Sequence, residues 1–331
     1  MAPTIAGAQQ LQAFLLASSP DSFADLQAHV GAMGTVYPTY FECAVPGGDL
    51  PGAPNPEVEG SPNPEVEGAP NPEVDAYAAA HQLLEMPRYT CQEGAVVHRI
   101  LTQPTLRART LARLAALAAG PSYAGLDLDL ENDGARDRHA LSSFVAALAA
   151  RLHALGKRLA VDVDGVPRED PRRATYFYDD RALAASADAV FVMAWGAHWE
   201  GSAPGPIAPL PFVRTVARRL ASLPHARRFV LGAPMYGLDW PLPGGRPRRA
   251  TALQYASVLA LAQAVDATPA RDPASGEMTF GYTRAGVSHR VWYMDARAVI
   301  DRIAIARRYG LVAGVWRLGE EDQALWSSSG A

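Results

Sequence analysis

The chain is poor in lysine and in long apolar runs, and of these two shortages only the second excludes a class of function. Lys157 is the single lysine among 30 basic residues, which we interpret as compositional bias with no functional meaning. The net charge is -4 and the arginines are spread along the chain, so nothing indicates a nucleic-acid partner. No apolar run approaches the roughly 20 residues of a membrane span, and we expect no membrane partner.

Cysteine content and the N-terminus leave the cellular compartment undetermined. Cys43 and Cys91 are too few for a disulfide framework. Both lie in segments predicted as successive strands and could be neighbours, but we favour two buried free thiols. Residues 1–4 lack the basic region and following apolar core of a signal peptide. The protein either stays inside the cell, or is exported with its signal trimmed or by another route.

One stretch, YAGLDLDLE at residues 123–131, alternates three acids with three leucines. A period of two is typical of a strand, in which residues two apart point to the same side. Asp127, Asp129 and Glu131 therefore share one face. Because predicted helices flank the stretch, we expect the leucines to pack under helices and the acids to point into the interior of the sheet. Crowded, dehydrated acids raise the pKa of at least one carboxyl, which can then stay protonated as a general acid needs.

Predicted strands and helices alternate along the chain, which implies parallel pairing through right-handed crossovers. The fold class we predict is α/β, a (β/α)₈ TIM barrel with a small α+β insertion after strand seven. A doubly wound open sheet is the alternative, but it usually has a glycine-rich turn after the first strand, and residues 16–19 have none. The predicted strands are 13–17, 35–41, 86–91, 123–131, 158–164, 189–195, 228–236 and 312–316.

We predict a single barrel domain over 1–331, with a repeat at 51–75 and the insertion at 241–292. The repeat contains copies of an eight-residue unit, beginning Ala-Pro-Asn-Pro-Glu-Val at residue 53. Proline at alternate positions removes backbone donors and disfavours helix. We therefore expect an extended, polyproline-like acidic loop that acts as a spacer, in preference to a binding segment.

In a barrel of this kind the active site lies at the C-terminal ends of the strands. Glu131 ends predicted strand four, Trp195 strand six, Tyr236 strand seven and Trp316 strand eight. Acids surrounded by flat aromatic side chains are typical of a sugar-binding site, because aromatic faces pack against the apolar faces of pyranose rings.

Further candidates lie close to these strand ends. Met193 precedes the end of strand six, and Gln92 follows strand three, so both are candidate substrate contacts. His198 either lines the cleft or caps a loop. Asp162 and Asp164 alternate on strand five, and would form a second acid cluster if they face the barrel. We find no histidines at metal-ligand spacing and expect no metal.

Residues 125–131, GLDLDLE, resemble the D-G-x-D-x-D-x-E signature of the family-18 glycoside hydrolases (chitinase-like). The resemblance extends, in order, over 192–211, 231–240 and two C-terminal segments, 293–297 and 314–322. These segments are similar to the bacterial spore-cortex and peptidoglycan N-acetylglucosaminidase branch. Coverage runs from about residue 13 to 326.

The resemblance implies retaining, substrate-assisted hydrolysis of a polysaccharide or oligosaccharide containing β-linked N-acetylglucosamine, by a monomer without a cofactor. Glu131 would be the acid and then the base. Asp129 would orient the substrate acetamide, and Asp127 would tune Asp129 from below. Trp316 would form the floor under the cleaved sugar.

Three positions depart from the family pattern. Ala124 stands where the motif has its first acid, and Trp195 and Gly196 stand where the family has tyrosine and aspartate after strand six. That tyrosine hydroxyl donates to the acetamide oxygen, whereas an indole N–H is a differently aimed donor. A carbohydrate-binding protein with weak or no hydrolysis, on the same barrel, is therefore the alternative.

Overall fold

The computed structural model describes residues 10–43, 70–120, 122–131, 134–167 and 176–327, so most of the predicted spacer at 51–75 lies outside the described residues. No helix in these ranges is long and apolar enough to cross a membrane. The strands are β1 Leu11–Leu15, β2 Met33–Pro38, β3 Phe41–Glu42, β4 Leu84–Glu85, β5 Arg88–Cys91, β6 Gly125–Leu130, β7 Arg158–Asp164, β8 Ala189–Met193, β9 Phe229–Pro234, β10 Gly237–Leu242, β11 Thr251–Leu253, β12 Ala270–Arg271, β13 Met278–Arg284, β14 Val287–Tyr293 and β15 Val312–Trp316. The helices are α1 Pro20–His29, α2 Pro72–Ala80, α3 Gly94–Thr102, α4 Pro104–Ala118, α5 Arg138–Ala154, α6 Asp180–Ser186, α7 Leu210–Ala221, α8 Tyr255–Ala264, α9 Ala296–Arg308 and α10 Ala324–Ser327.

The main sheet is parallel throughout and has the order β3-β5-β6-β7-β8-β9-β15-β1-β2-β4. Two of the eight barrel strands are each split in two. The second strand consists of β2 and β3, and the third of β4 and β5. Because β2 pairs with β4 and β3 pairs with β5, the two ends of the sheet meet along the same pair of strands. The predicted TIM-barrel fold is confirmed.

Helix α2 corrects one sequence expectation. We predicted an extended chain through residue 75, but the helix begins at Pro72, inside the last copy of the repeat. Asn71 is its N-cap and accepts a hydrogen bond from Glu73 N at 3.0 Å. Proline is well tolerated in the first helical turn, where its missing N–H has no intrahelical partner. The alternating prolines disfavour helix in the earlier part of the repeat. At the last proline, Pro72, a helix can begin because the capping residue Asn71 precedes it.

The insertion is larger than the predicted 241–292. It forms an antiparallel sheet of order β11-β10-β14-β13-β12 and begins at Gly237, directly after the seventh barrel strand. Val258 on α8 packs with Phe280 and Val291 on one face of the sheet. On β10, Leu238 and Trp240 belong to another cluster, which includes Ile207 from the loop after β8. This second cluster fastens the insertion to the barrel.

A buried ion pair makes the same attachment by polar contacts. Glu277 accepts hydrogen bonds from Ile207 N at 2.7 Å and Ala208 N at 2.8 Å, and its carboxylate lies 3.2 Å from Arg302 Nη2. Arg302, on α9, also donates to the carbonyl oxygens of Ala208 and Ser275 at 2.6 and 2.8 Å. The pair therefore joins the insertion, the loop after β8 and α9.

The two faces of β6 separate as the alternation predicted. Leu126, Leu128 and Leu130 are at most 2% exposed and pack in the layer between the sheet and the helices. Each buried leucine contributes roughly 1.5–3 kcal/mol to the free energy of unfolding. Asp127 and Asp129 have no exposed surface. They point into the barrel, and the strand thus carries its carboxylates into the interior.

Cys43 and Cys91 form a disulfide, so the prediction of free thiols was wrong. Cys91 ends β5, and Cys43 follows the short strand β3 that pairs with it. Cys43 N donates to Thr90 O at 2.9 Å, and the two cysteine Cα atoms are 5.1 Å apart. The pairing of the split strands therefore brings together two thiols that lie 48 residues apart in the chain.

Candidate active site

Glu131 lies at the C-terminal mouth of the barrel, between two adjoining cavities. The smaller, of about 180 Å³, lies over the barrel interior and has Glu131, Arg88 and Trp316 in its wall. The larger, of about 540 Å³, runs toward the loops after β7 and β8. Both cavities share Glu131 and Met193, together with Trp195, Glu200 and Tyr236. One carboxyl therefore faces a continuous cleft on both sides.

The Glu131 side chain is held by few contacts and carries a raised pKa. Its Oε1 accepts a hydrogen bond from Gln92 Nε2 at 3.1 Å. Burial is the main reason that the pKa of Glu131 rises to about 8, and the charges of Asp129 and Asp164 raise it further. Arg88 and the Gln92 hydrogen bond act in the opposite direction. The carboxyl is therefore protonated at neutral pH and can donate a proton into the cleft.

Asp129 is anchored through one of its two carboxylate oxygens. Its Oδ2 accepts hydrogen bonds from the Arg88 guanidinium and from Thr90 Oγ1, the latter at 2.9 Å. Its Oδ1 is buried and receives no donor from the described part of the chain. The strand alternation places Asp129 one strand step below Glu131. This carboxylate is therefore fixed beneath the proton donor through Oδ2, and Oδ1 is available to accept a hydrogen bond from a substrate.

A buried cluster is completed by Asp127, one strand step below Asp129, and by Asp162, which also lies in the wall of the smaller cavity. Burial raises the pKa of Asp127 to about 8; Arg88 lowers it and Asp129 raises it. The pKa of Asp162 is raised well above its ordinary value, mainly by burial and then by the neighbouring aspartates. The second acid cluster suggested by strand five thus merges with the first. Asp164, two residues on, lies in the wall of the larger cavity.

Aromatic side chains form the walls around these acids. Trp316, at the end of β15, packs on Phe14 with ring centroids 4.8 Å apart. Trp195 and Tyr236 border both cavities. Gly232 provides the room for Trp195, because a Cβ atom there would lie 2.8 Å from the indole ring and 2.5 Å from the Phe191 ring. The cleft therefore offers flat apolar faces beside a proton donor.

The candidate substrate contacts separate into two groups. Gln92, Met193, Trp195, Tyr236 and Trp316 all lie in the wall of the smaller cavity. His198 is held within its own loop, where its Nδ1 lies 2.9 Å from the Ala203 carbonyl oxygen, and neither cavity wall includes it. Its neighbour Trp199 is 54% exposed and borders the larger cavity.

Several residues of the site were missed at the level of sequence. Arg88 and Thr90 are the most important, since both bind Asp129. The sequence pattern could have indicated their role, because Arg88 and Thr90 lie two residues apart, on one face of the strand next to the acid strand. In the register, Arg88 pairs with Asp127 and Thr90 with Asp129. Glu200 and Glu320 lie in loops, where no periodicity reports the direction of a side chain.

The described part of the chain has no group of three or more His, Cys, Asp or Glu side chains arranged to hold a metal ion. What the site does contain is a protonated carboxyl above a fixed aspartate, within a cleft that has aromatic walls. This arrangement can protonate a leaving oxygen while a second carboxylate orients a polar substituent of the same molecule.

Comparison with known proteins agrees with this chemistry. The chain is 30% identical over 228 residues to the putative sporulation-specific glycosylase YdhD of Bacillus subtilis (strain 168), covering 67% of this chain and 53% of that protein. It is 26% identical to the cortical fragment-lytic enzyme of Bacillus anthracis, covering 66% and 52%. The chain thus spans about half the length of these two relatives.

A solved structure shows the same fold. The chitinase of Chromobacterium violaceum ATCC 12472 superposes with a TM-score of 0.80 at 24% identity, over 97% of each chain. Residues 98–320 match the model of the family described as glycosyl hydrolases family 18, and this range contains the acid strand and most of the cleft. The chain belongs to family 18 of the glycosyl hydrolases.

Proposed function

We propose that the protein hydrolyses β-linked N-acetylglucosamine in peptidoglycan or chitin-like glycans, with retention and with assistance from the substrate. The observation that carries the proposal is the position of Glu131. This carboxyl has a pKa raised to about 8, lies between two cavities and stands one strand step above the anchored Asp129.

In the first step Glu131 gives its proton to the glycosidic oxygen as the bond from that oxygen to the anomeric carbon breaks. The acetamide carbonyl oxygen of the same sugar attacks the anomeric carbon and forms a cyclic oxazolinium ion. The free Oδ1 of Asp129 accepts the acetamide N–H and stabilises the positive charge. This use of the substrate as nucleophile departs from the usual scheme with two carboxylates.

In the second step Glu131, now ionised, removes a proton from water. The water oxygen attacks the anomeric carbon, the ring of the intermediate opens, and the acetamide is restored. Each of the two displacements inverts the anomeric carbon, because each nucleophile attacks from the face opposite the group that leaves, so the configuration is retained overall. The Trp316 ring lies under the reacting sugar, where its flat face supports the pyranose ring.

The names of the relatives support both classes of glycan. A sporulation-specific glycosylase and a cortical fragment-lytic enzyme favour peptidoglycan, whereas the structural neighbour is a chitinase. The acetamide is common to both polymers, and the mechanism needs only that group. Mass spectrometry of the products from purified peptidoglycan and from chitin oligomers, compared at equal protein concentration, assigns the polymer.

A carbohydrate-binding protein with weak or no turnover is the second candidate. Trp195 and Gly196 favour it, because the position next to the cleft carries an indole in place of a hydroxyl donor. Such a protein would use the same aromatic walls to bind an oligomer and release no product.

The decisive assay is hydrolysis of a chromogenic N-acetylglucosamine oligomer by the wild type, Glu131→Gln and Asp129→Asn. We expect both variants to lose at least 10²-fold in kcat, the lower end of the contribution of a general acid. Equal rates for the wild type and Glu131→Gln would remove the catalytic assignment. Binding of the oligomer by the wild type without product would establish the second candidate.

A further inference from the structure

Arg88 occupies an unusual place for a cation, inside the barrel and directly below the cleft. The side chain is 4% exposed, and its guanidinium carbon lies 4.9 Å from the centroid of the Trp316 ring. One of its nitrogens donates to Asp129 Oδ2, and its Nε lies 3.5 Å from Asp162 Oδ2. A single side chain thus contacts the anchored aspartate, the deeper acid cluster and the aromatic floor.

The charges explain why a cation is retained there. Burial alone would lower the pKa of Arg88, but Asp129, Asp162 and Asp127 outweigh burial and raise it above its ordinary value, so the guanidinium stays charged. Three buried aspartates without a counter-charge would share protons in order to reduce their repulsion. Arg88 supplies that counter-charge, and the aspartate that receives its direct hydrogen bond is Asp129.

We propose that Arg88 is a positioning residue for glycoside cleavage, which holds Asp129 Oδ2 by a hydrogen bond so that Oδ1 alone faces the substrate acetamide, and which supplies the positive charge within the buried acid cluster. The inference rests on the proposed function and goes beyond it, since it explains how this barrel holds Asp129 in place beneath the cleft and balances the charge of the buried acids. Arg88 itself need not touch the substrate, because its Nε and Nη1 are buried below the cavity surface.

Thr90 provides a matched control. It donates to the same Oδ2 at 2.9 Å but carries no charge. Replacing Thr90 by the isosteric valine loosens Asp129 without changing the charge of the cluster. Replacing Arg88 by methionine removes both the hydrogen bond to Asp129 and the positive charge. The two variants therefore separate the effect of a lost hydrogen bond from the effect of a lost charge.

The ionisation of the cluster depends on every group that faces it. Burial raises the pKa of the Tyr37 and Tyr178 hydroxyls and of the Glu42, Asp127 and Asp162 carboxyls. The two phenols therefore stay neutral near neutral pH. Asp164 adds a charge at the mouth, which acts on Glu131. The groups are Tyr37 on β2, Glu42 on β3, Asp127 on β6, Asp162 and Asp164 on β7, and Tyr178 before α6.

The test is a pH–rate profile on the chromogenic oligomer for the wild type, Arg88→Met, Arg88→Lys and Thr90→Val. In Arg88→Met we expect kcat to fall about 10²-fold at the wild-type optimum, the effect of a small misplacement in a reacting site. Its alkaline limb moves up, because Arg88 lowers the pKa of Glu131 and this effect is removed.

The controls give different profiles. Arg88→Lys keeps the charge and therefore keeps the alkaline limb at the wild-type pH. Thr90→Val lowers kcat by roughly tenfold, the effect of one lost hydrogen bond to a carboxylate, without moving the alkaline limb, because Thr90 carries no charge to act on Glu131. If Arg88→Met fails to fold, Arg88→Gln takes its place, because its amide can still donate to Asp129 Oδ2 but carries no charge.

An Arg88→Met profile that keeps the wild-type rate, or that falls by the same factor at every pH, overturns the proposal while hydrolysis by the wild type stands. If the wild type itself shows no turnover, the proposed function fails separately. Arg88 is then tested by infrared pH titration of the unliganded protein. The signal of protonated carboxyls must persist to higher pH in Arg88→Met than in the wild type, and identical titrations reject the role of Arg88.

Discussion

The buried pair Glu277–Arg302 gives the sharpest prediction about how the insertion positions the cleft. Arg302→Met leaves the Glu277 carboxylate, which has no exposed surface, without its counter-charge. Removing one partner of a buried ion pair costs roughly 3–5 kcal/mol of the free energy of unfolding. For a chain of this size we expect the melting temperature to fall by roughly 4–7 °C.

The decrease in the free energy of unfolding caused by Arg302→Met becomes larger as the pH rises. Burial raises the pKa of Glu277 to about 7, and Arg302 lowers it, so the variant has a still higher value. A carboxyl with a raised pKa in the folded state makes the protein less stable as pH rises, because the unfolded chain releases that proton more readily. Arg302→Met therefore loses less of its free energy of unfolding at pH 6 than at pH 9.

Urea unfolding at these two pH values, with Glu277→Gln/Arg302→Met as the matched control, measures this effect. The double variant has no unpaired buried charge, so we expect it to be more stable than Arg302→Met at pH 9. Both variants lose the hydrogen bonds from Arg302 to the Ala208 carbonyl oxygen, which should also raise KM through the loop after β8. If Arg302→Met loses less than about 1 kcal/mol of its free energy of unfolding, or loses the same amount at both pH values, the reasoning is refuted.

Three further predictions concern the cleft and the disulfide. The alkaline limb of the pH profile of kcat/KM should lie near pH 8, because it is set by the pKa of Glu131. Asp164→Asn should move this limb to lower pH, because it removes a charge that raises the pKa of Glu131. A limb that stays at the wild-type pH in Asp164→Asn contradicts this. Trp316→Ala should destabilise the fold by roughly 3–5 kcal/mol in urea unfolding, with Trp316→Phe retaining most of the stability. Alkylation and mass spectrometry of the denatured protein should find no free thiol until Cys43–Cys91 is reduced, and reduction should cost roughly 2–4 kcal/mol.

The acid strand shows how far the sequence could predict the fold. Its alternation fixed both faces, and the regular strands at 158–164 and 312–316 were predicted with the observed ends. Helix α3 was missed, because it follows a short strand and is separated from α4 only by Gln103. Parallel pairing and closure of the barrel follow from the alternation of strands and helices, which is a long-range pattern.

Contacts between strands were harder to predict. The link from Arg88 to Asp129 needs the register of β5 against β6, and the Cys43–Cys91 bond needs the split of strand two into β2 and β3. Neither is written in the local pattern of a single segment. His198 shows the same limit for loops, since its hydrogen bond to a nearby carbonyl oxygen depends on a turn that its neighbours do not specify.

The central claim is that Glu131 and the substrate acetamide together cleave the glycosidic bond with retention. Proton NMR of the first product, recorded during hydrolysis of an N-acetylglucosamine oligomer and before mutarotation, reads the anomeric configuration directly. We predict that the new reducing end appears as the β-anomer and that N-deacetylated oligomers give no product. An initial α-anomer, or equal cleavage of the deacetylated oligomer, would contradict this mechanism.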